Sequence, residues 1–311
     1  MIEVREVVKC FGPTRAVDSV SLRLAPGSLT ALIGASGSGK STLLRLINRL
    51  IEADSGQILL DGVDIRSGLP EALRRRMGYV IQSTGLFPHW TVARNIATVP
   101  TLLGWPAAQI SERVDELLLL LGLEPAAYQG RYPHQLSGGQ QQRIGVARAL
   151  AARPAVLLMD EPFGALDPLT RQSLQQALLD LQRSQRCTTV LVTHDIDEAL
   201  RLGDQLVLLD KGRVLQAGTP LQLLAQPASD QVRDFLGREM LGQRLLAQRR
   251  VGSLLRPGEV AAGAALRPEQ SLLQALAAFL AQGVETLPVQ GDGGQPLGAI
   301  HFTDLLRGAS A

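Results

Sequence analysis

The chain has 311 residues, 45% hydrophobic and 19% charged, a balance that excludes a disordered chain and suits one large domain with a small appendage. Its 31 Lys and Arg against 29 Asp and Glu leave a formal charge of +2, which gives no support for a nucleic-acid partner. Two cysteines, Cys10 and Cys187, are too few and too scattered for a disulfide framework or a zinc site, and Cys187 beside an apolar β run reads as a reduced core thiol.

From Ile2 to Leu24 apolar and polar residues alternate, broken at Gly12-Pro13 and again at Pro26-Gly27, which predicts antiparallel strands. No basic–apolar leader precedes this pattern. Leu29 to Ile33 reads as a short buried strand, followed by a glycine loop and a helix over Ser41 to Leu50. The run Arg74-Arg75-Arg76 reads as a solvated helix face. A strand is predicted over Gly78 to Gln82, and Thr91 to about Gly130 reads as mostly helical. Its greasiest stretch, Leu117 to Leu121, falls short of the about 20 residues that cross a bilayer. The chain is thus expected to be soluble and cytoplasmic, with any membrane role supplied by a partner.

A helix running through Ala152 stops at Arg153-Pro154. Then follow a strand (Ala155 to Met159), a helix (Pro168 to about Ser184), a strand (Thr188 to Thr193) and a helix (Asp195 to Leu202). Strand alternating with helix predicts a mainly parallel sheet covered on both faces. A hairpin over Gln205 to Gln216, turning at Asp210-Lys211-Gly212, and two short helices close the first domain at residue 236. Residues 237–267 read as a linker or a degraded element. Residues 268–311 give helix (Ser271 to Gln282), strand (Thr286 to Gln290), a Gly-Asp-Gly-Gly turn, strand (Leu297 to His301) and helix (Thr303 to Arg307), a small βαβ-like appendage.

Gly34-Ala35-Ser36-Gly37-Ser38-Gly39-Lys40-Ser41 spaces glycine, four residues, glycine, lysine and serine between a strand and a helix. Glycines there let backbone N–H groups crowd around phosphate oxygens, and the helix N-terminus adds a favourable dipole. Lys40 supplies a point charge to the phosphates, and the Ser41 hydroxyl suits Mg²⁺. In Val156-Leu157-Leu158-Met159-Asp160-Glu161, four apolar residues precede two carboxylates at the C-terminal end of a strand, where ligands sit in open α/β sheets. Asp160 is the expected Mg²⁺ ligand and Glu161 is placed to polarise an attacking water. Ser137-Gly138-Gly139-Gln140 opens a helix and offers a second anion site. One chain does not easily bring it to its own phosphate loop, so a head-to-tail homodimer enclosing two ATP molecules is expected.

With these motifs the chain resembles the nucleotide-binding subunit of ATP-binding cassette (ABC) transporters over residues 1 to about 236. The resemblance implies a P-loop cassette: a mainly parallel sheet, an N-terminal antiparallel β subdomain and a helical signature subdomain. It implies ATP and Mg²⁺ as cofactors and an ATPase activity. It also gives roles to further residues. Gln82 corresponds to the glutamine that links Mg²⁺ to the membrane partner, Ala165-Leu166-Asp167 to the D-loop, and His194 to the switch histidine that senses the γ-phosphate. Thr42 extends the phosphate loop with Ser36 and Ser38, and Phe11 stands where the family stacks an aromatic on adenine, with Val17 or a neighbour as a possible second contributor.

A closer resemblance is to importers of osmoprotectants, the glycine betaine, carnitine and choline class. It rests on Leu46 to Ile51, Arg74 to Gln82, and Leu86-Phe87-Pro88-His89-Trp90-Thr91-Val92 with Asn95-Ile96-Ala97. His89 and Trp90 themselves read as a local packing pair. The kinship implies permease partners in the membrane, an extracytoplasmic solute-binding protein acting indirectly, and a place on the cytoplasmic face of the membrane. An amino-acid-type importer is the alternative, and a non-transport cassette ATPase a more distant one. Residues 268–311 resemble one CBS motif in Glu285 to Val289, Gly298-Ala299-Ile300 and Asp304-Leu305-Leu306, with His301 where the motif usually has Ser or Thr. A first copy in 242–267 is hardly recognisable, which favours a dimerising or packing role over a nucleotide sensor.

Overall fold

Alternation at the N-terminus produces β1 (Ile2–Phe11) and β2 (Thr14–Leu24), paired antiparallel around the Gly12-Pro13 turn. The computed structural model describes residues 1–82, 85–164 and 166–309, with side chains at 181, 183–185 and 306–309 excepted. Ala165 of the expected D-loop lies outside the described residues, as does the Leu306 side chain. The buried strand β3 (Leu29–Ile33) leads through the glycine loop into α1 (Lys40–Ile47). Next comes a hairpin that the sequence reading passed over: β4 (Ser55–Leu60) and β5 (Val63–Asp64), turning at Asp61-Gly62, with Asp61 at φ 53° and Gly62 at φ 83°. Strand order in this first sheet is β2-β1-β4-β5.

Then follow α2 (Pro70–Arg74), β6 (Met77–Val80), α3 (Val92–Ile96), α4 (Thr98–Leu102), α5 (Ala107–Leu120), α6 (Pro125–Tyr128) and α7 (Gly138–Leu150). Arg74 is not on a solvated face: its guanidinium donates to the carbonyls of Asn48 and Arg49 at the end of α1. The alternation of strand and helix continues with β7 (Val156–Asp160), α8 (Pro168–Gln185), β8 (Thr188–Val192), α9 (Ile196–Leu202) and the hairpin β9 (Gln205–Asp210) and β10 (Arg213–Gly218). The second sheet has the order β10-β9-β3-β8-β7-β6, with β6, β7, β8, β3 and β9 parallel.

Burial on both faces follows from the two-residue period of a strand. Leu157, Met159 and Leu191 join the core formed with α3, α5, α7 and α8. Val156, Leu158, Val190 and Val192 face the other way, into a core shared with α1 and the antiparallel sheet. Cys187 is 2% exposed and its thiol donates to the Pro154 carbonyl; burial pushes its pKa to about 11, so it is an inert core thiol.

Contacts divide the chain into Met1–Leu215 and Gln216–Ala311. The second unit begins with α10 (Pro220–Ala225) and α11 (Asp230–Phe235), which the sequence placed in the cassette. The boundary moves back because α10 packs on α12 (Leu241–Gln248). The segment read as a linker thus contains a helix, and β11 (Arg256–Pro257) as well. It contributes Leu246, Val251 and Leu266 to a core completed by α13 (Leu272–Gln282), β12 (Thr286–Gln290), β13 (Pro296–His301) and α14 (Phe302–Ala309). β12 and β13 pair antiparallel, and β11 adds to the other edge of β13. The βαβ-like expectation fails here for a simple reason: the connection around Gly291–Gly294 is far too short for a parallel crossover.

Candidate functional site

The phosphate loop is shaped by glycines that nothing else could replace. Gly34 has φ 148°, and a Cβ there would lie 2.1 Å from the Leu209 carbonyl oxygen. Gly39, at φ 100°, caps α1, and its Cβ would lie 2.2 Å from the Ala16 carbonyl oxygen. Between them Ala35, Ser36 and Gly37 are exposed. Lys40 is 6% exposed and folds under the loop. Its Nζ donates to the carbonyls of Gly34 and Ala35 at 2.8 Å each and to Ser38 Oγ at 3.3 Å. Burial lowers its pKa, opposed by the nearby charges of Glu161 and Asp160.

Ser41 opens α1 beside Lys40, and its hydroxyl donates to Asp160 Oδ1 at 2.7 Å. Asp160 ends β7, is 2% exposed, and burial raises its pKa, with the Ser41 hydrogen bond and the charge of Arg45 acting against the shift. A hydroxyl and a buried carboxylate side by side are hard oxygen donors, the set that suits Mg²⁺. The residues present therefore fit a Mg²⁺–nucleotide: loop and Lys40 for phosphate, Ser41 and Asp160 for the ion. Thr42 follows on α1, half-buried.

Glu161 takes the left-handed region at φ 48°, where a non-glycine residue is strained by roughly 1–2 kcal/mol. Its amide is tied to the Val192 carbonyl at 3.0 Å. The turn lifts its carboxylate off the end of β7 between two neighbours. Gln82 Nε2 donates to Oε2 at 3.3 Å, and His194 Nδ1 lies 3.3 Å from Oε1. Gln82, Glu161 and His194 thus converge from just beyond the C-terminal ends of β6, β7 and β8, adjacent parallel strands.

The other expected residues fall elsewhere. Ser137 is the N-cap of α7: its hydroxyl accepts from the Gln140 amide at 3.3 Å, and Gln140 Oε1 accepts from the Ser137 amide at 3.0 Å. Gln140 Nε2 goes on to the Tyr128 hydroxyl at 3.0 Å, so its side chain serves this capping box. Gly138 is exposed and Gly139 lies against Leu166. Among the described residues, none of these hydrogen bonds runs to the phosphate loop. Asp167 caps α8 through the Thr170 amide at 3.0 Å, and its hydrogen bonds to Thr170 lower its pKa. Phe11 ends β1 and is 53% exposed, with Lys9 Nζ 5.7 Å from its ring centroid, whereas Val17 is fully buried. His89 and Trp90 pack with Phe87 in a local aromatic cluster, the Arg94 guanidinium lying over Trp90. Two groups escaped the sequence reading: Arg45, whose charge bears on Asp160, and Glu198, 7% exposed with its pKa raised by burial. Neither carries a motif; an arginine or a glutamate on an amphipathic helix looks like any other.

A glycine cradle over a buried lysine, a carboxylate pair at a strand end and a glycine-led capped helix on this sheet order define an ATP-binding cassette ATPase. The family model for ABC transporters matches residues 17–164. The chain is 59% identical over 306 residues to the glycine betaine uptake system ATP-binding protein YehX of Escherichia coli (strain K12), covering 98% of this chain and 99% of the relative. It is 47% identical over 290 residues to the glycine betaine/carnitine/choline transport ATP-binding protein OpuCA of Bacillus subtilis (strain 168), covering 93% of this chain and 75% of that one. Among solved structures, the dimeric post-hydrolysis state of the ATP-binding cassette MJ0796 bound to ADP and Pi matches with a TM-score of 0.65 at 33% identity, over 71% of this chain and 99% of that chain. The chain belongs to the ABC transporter family and is an ATPase subunit of it.

Proposed function

We propose that this chain hydrolyses ATP to energise import of an osmoprotectant, a quaternary ammonium compound such as glycine betaine, choline or carnitine, through a partner permease. The observation that carries this reading is the end-to-end likeness to YehX, at 98% of this chain and 99% of that one, which takes in the tail as well as the cassette. Loop amides and Lys40 hold the phosphates, Thr42, Ser36 and Ser38 add hydroxyls, and Phe11 stacks on adenine. Ser41, Asp160 and Gln82 would hold Mg²⁺, which when bound would neutralise charge on the phosphate oxygens. Glu161 takes up the proton of the attacking water, while His194 steadies both the Glu161 carboxylate and the γ-phosphate.

Ser137, Gly138, Gly139 and Gln140 of a second copy close over the nucleotide, with Asp167 at the seam, so the working unit is a homodimer. Among the described residues no helix is long and apolar enough to cross a membrane. In this reading the subunit sits peripherally on the cytoplasmic face, held by permease subunits near Gln82, and meets the solute-binding protein only through them. The ATPase domain is the first unit, Met1–Leu215, and the second unit, from Gln216, includes 237–267 as a degenerate first CBS motif and 268–311 as a CBS-like motif. The tail packs or dimerises rather than binding adenine nucleotide. Both Asp304 oxygens are engaged by Arg256, at 2.9 and 2.7 Å, and His301 lies 2.6 Å from Glu259. A thermal shift of the protein's tail transition on adding adenine nucleotides would contradict that.

The test of the solute class is ATP hydrolysis by the subunit reconstituted with its permease and binding protein. Glycine betaine, choline or carnitine should stimulate it. Stimulation only by methionine or histidine would leave the chemistry standing and overturn the solute.

A further inference from the structure

Arg171 lies in the first turn of α8 and its guanidinium reaches two loops. Nη2 donates to the Leu166 carbonyl at 3.3 Å, and Nη1 stands 3.8 Å from Asp195 Oδ2. Leu166 belongs to the segment after Glu161, and its Cδ2 is 3.2 Å from where a Cβ on Gly139 would sit, so it closes against the start of the signature helix. Asp195 directly follows His194. Its other oxygen caps α9 by accepting the Glu198 amide at 3.0 Å, while its own amide donates to Thr193 Oγ1 at 3.0 Å. Arg171 Nε is buried with no acceptor among the described residues. Arg171, Glu161, His194 and Asp195 share one cleft of about 50 Å³, room for a few water molecules and too little for an organic ligand. An arginine spanning two loops in so small a space acts as a brace.

We propose that Arg171 is a positioning residue that holds the His194 loop in register with the Leu166 segment behind the signature. The inference rests on the roles proposed above for His194 and Ser137. His194 serves the protomer's own nucleotide and the signature serves the partner's, so this one side chain ties closure at one site to closure at the other. The ion pair at 3.8 Å, with both side chains more than a third exposed, contributes little to stability by itself. Its effect falls on orientation.

The test is a double-mutant cycle in the full-length chain with Mg²⁺ and ATP, followed by release of radiolabelled phosphate so that slow variants are measured. Arg171→Ala should lower kcat about tenfold and leave KM for ATP within about twofold, and it should have no further effect in a His194→Ala background. Equal losses in both backgrounds, as from a general structural defect, or no loss in either, overturn the proposal. Should Arg171→Ala fold poorly, Asp195→Asn runs the same cycle: it keeps the α9 cap and removes the charge facing Arg171. A wild-type rate in His194→Ala alone marks failure of the His194 reading, and the positioning role falls with it.

Discussion

The nucleotide edge of the cassette and the polar cluster of the tail contain the same residue types in opposite conditions. At the cassette edge, Asp160 is buried with its pKa raised, Lys40 is buried with its pKa lowered, and Glu161 is held in a strained left-handed turn. The charges of Asp160 and Lys40 are less comfortable there than they would be in water. In the tail, Asp304 is gripped by Arg256 at two points, and that guanidinium holds its carboxyl below the usual range. Groups whose charged forms burial disfavours suit an incoming charged molecule, whereas a carboxylate and a guanidinium that satisfy each other hold a fold together.

The largest break in this contrast comes from Glu161→Gln. It removes the proposed proton acceptor but leaves the cradle intact, so hydrolysis should fall about 10³-fold while ATP binding persists and the dimer is trapped. Unchanged turnover would remove Glu161 from the mechanism. Asp160→Asn has the next largest expected effect. An acid whose folded pKa is raised destabilises the fold at pH values above that pKa, and the penalty is relieved as pH falls. The asparagine keeps a partner for Ser41 without the buried charge, so Tm in the absence of Mg²⁺ should rise by a few degrees at neutral pH while Mg²⁺-dependent hydrolysis is lost. A lower Tm would show that Asp160 is not under electrostatic strain.

Asp304→Asn should do the reverse in the tail, lowering its melting transition by about 5 °C. The sign follows from the depressed folded pKa: the contribution is present above the ordinary aspartate value of about 3.9 and disappears as pH falls through the folded value. Melting of the wild-type and Asp304→Asn chains should therefore converge at acid pH. A gap that persists there would assign the effect to packing instead.

The cassette was largely legible because its chemistry is written in contiguous motifs at strand ends. Gly34 to Ser41 and Asp160-Glu161 needed only the strand pattern around them, and Gln82 and His194 followed from family resemblance. What escaped depended on weaker or non-local signals. The β4–β5 hairpin was available in principle from Asp61-Gly62 between apolar residues. Helix α12 was obscured by a Leu-, Ala- and Arg-rich composition, although Leu241, Leu245 and Leu246 have helical spacing. Gln140 illustrates the other side: its place in a motif suggests ligand binding, while its side chain is occupied in a capping box. Arg171 has no local signature at all, since its meaning comes from two loops brought together by the parallel sheet.

In the proposed homodimer the nucleotide is enclosed by the phosphate loop of one copy and the signature of another. Complementation between two inactive variants tests it most directly. Lys40→Ala and Ser137→Arg should each be inactive as pure dimers, because every site lacks one half. Mixed one to one, random pairing leaves one wholly intact site in each heterodimer, and hydrolysis should reappear at up to about a quarter of the wild-type rate, the full quarter being reached only where the intact site is not slowed by its dead neighbour. A mixture as inactive as its components would contradict the shared site.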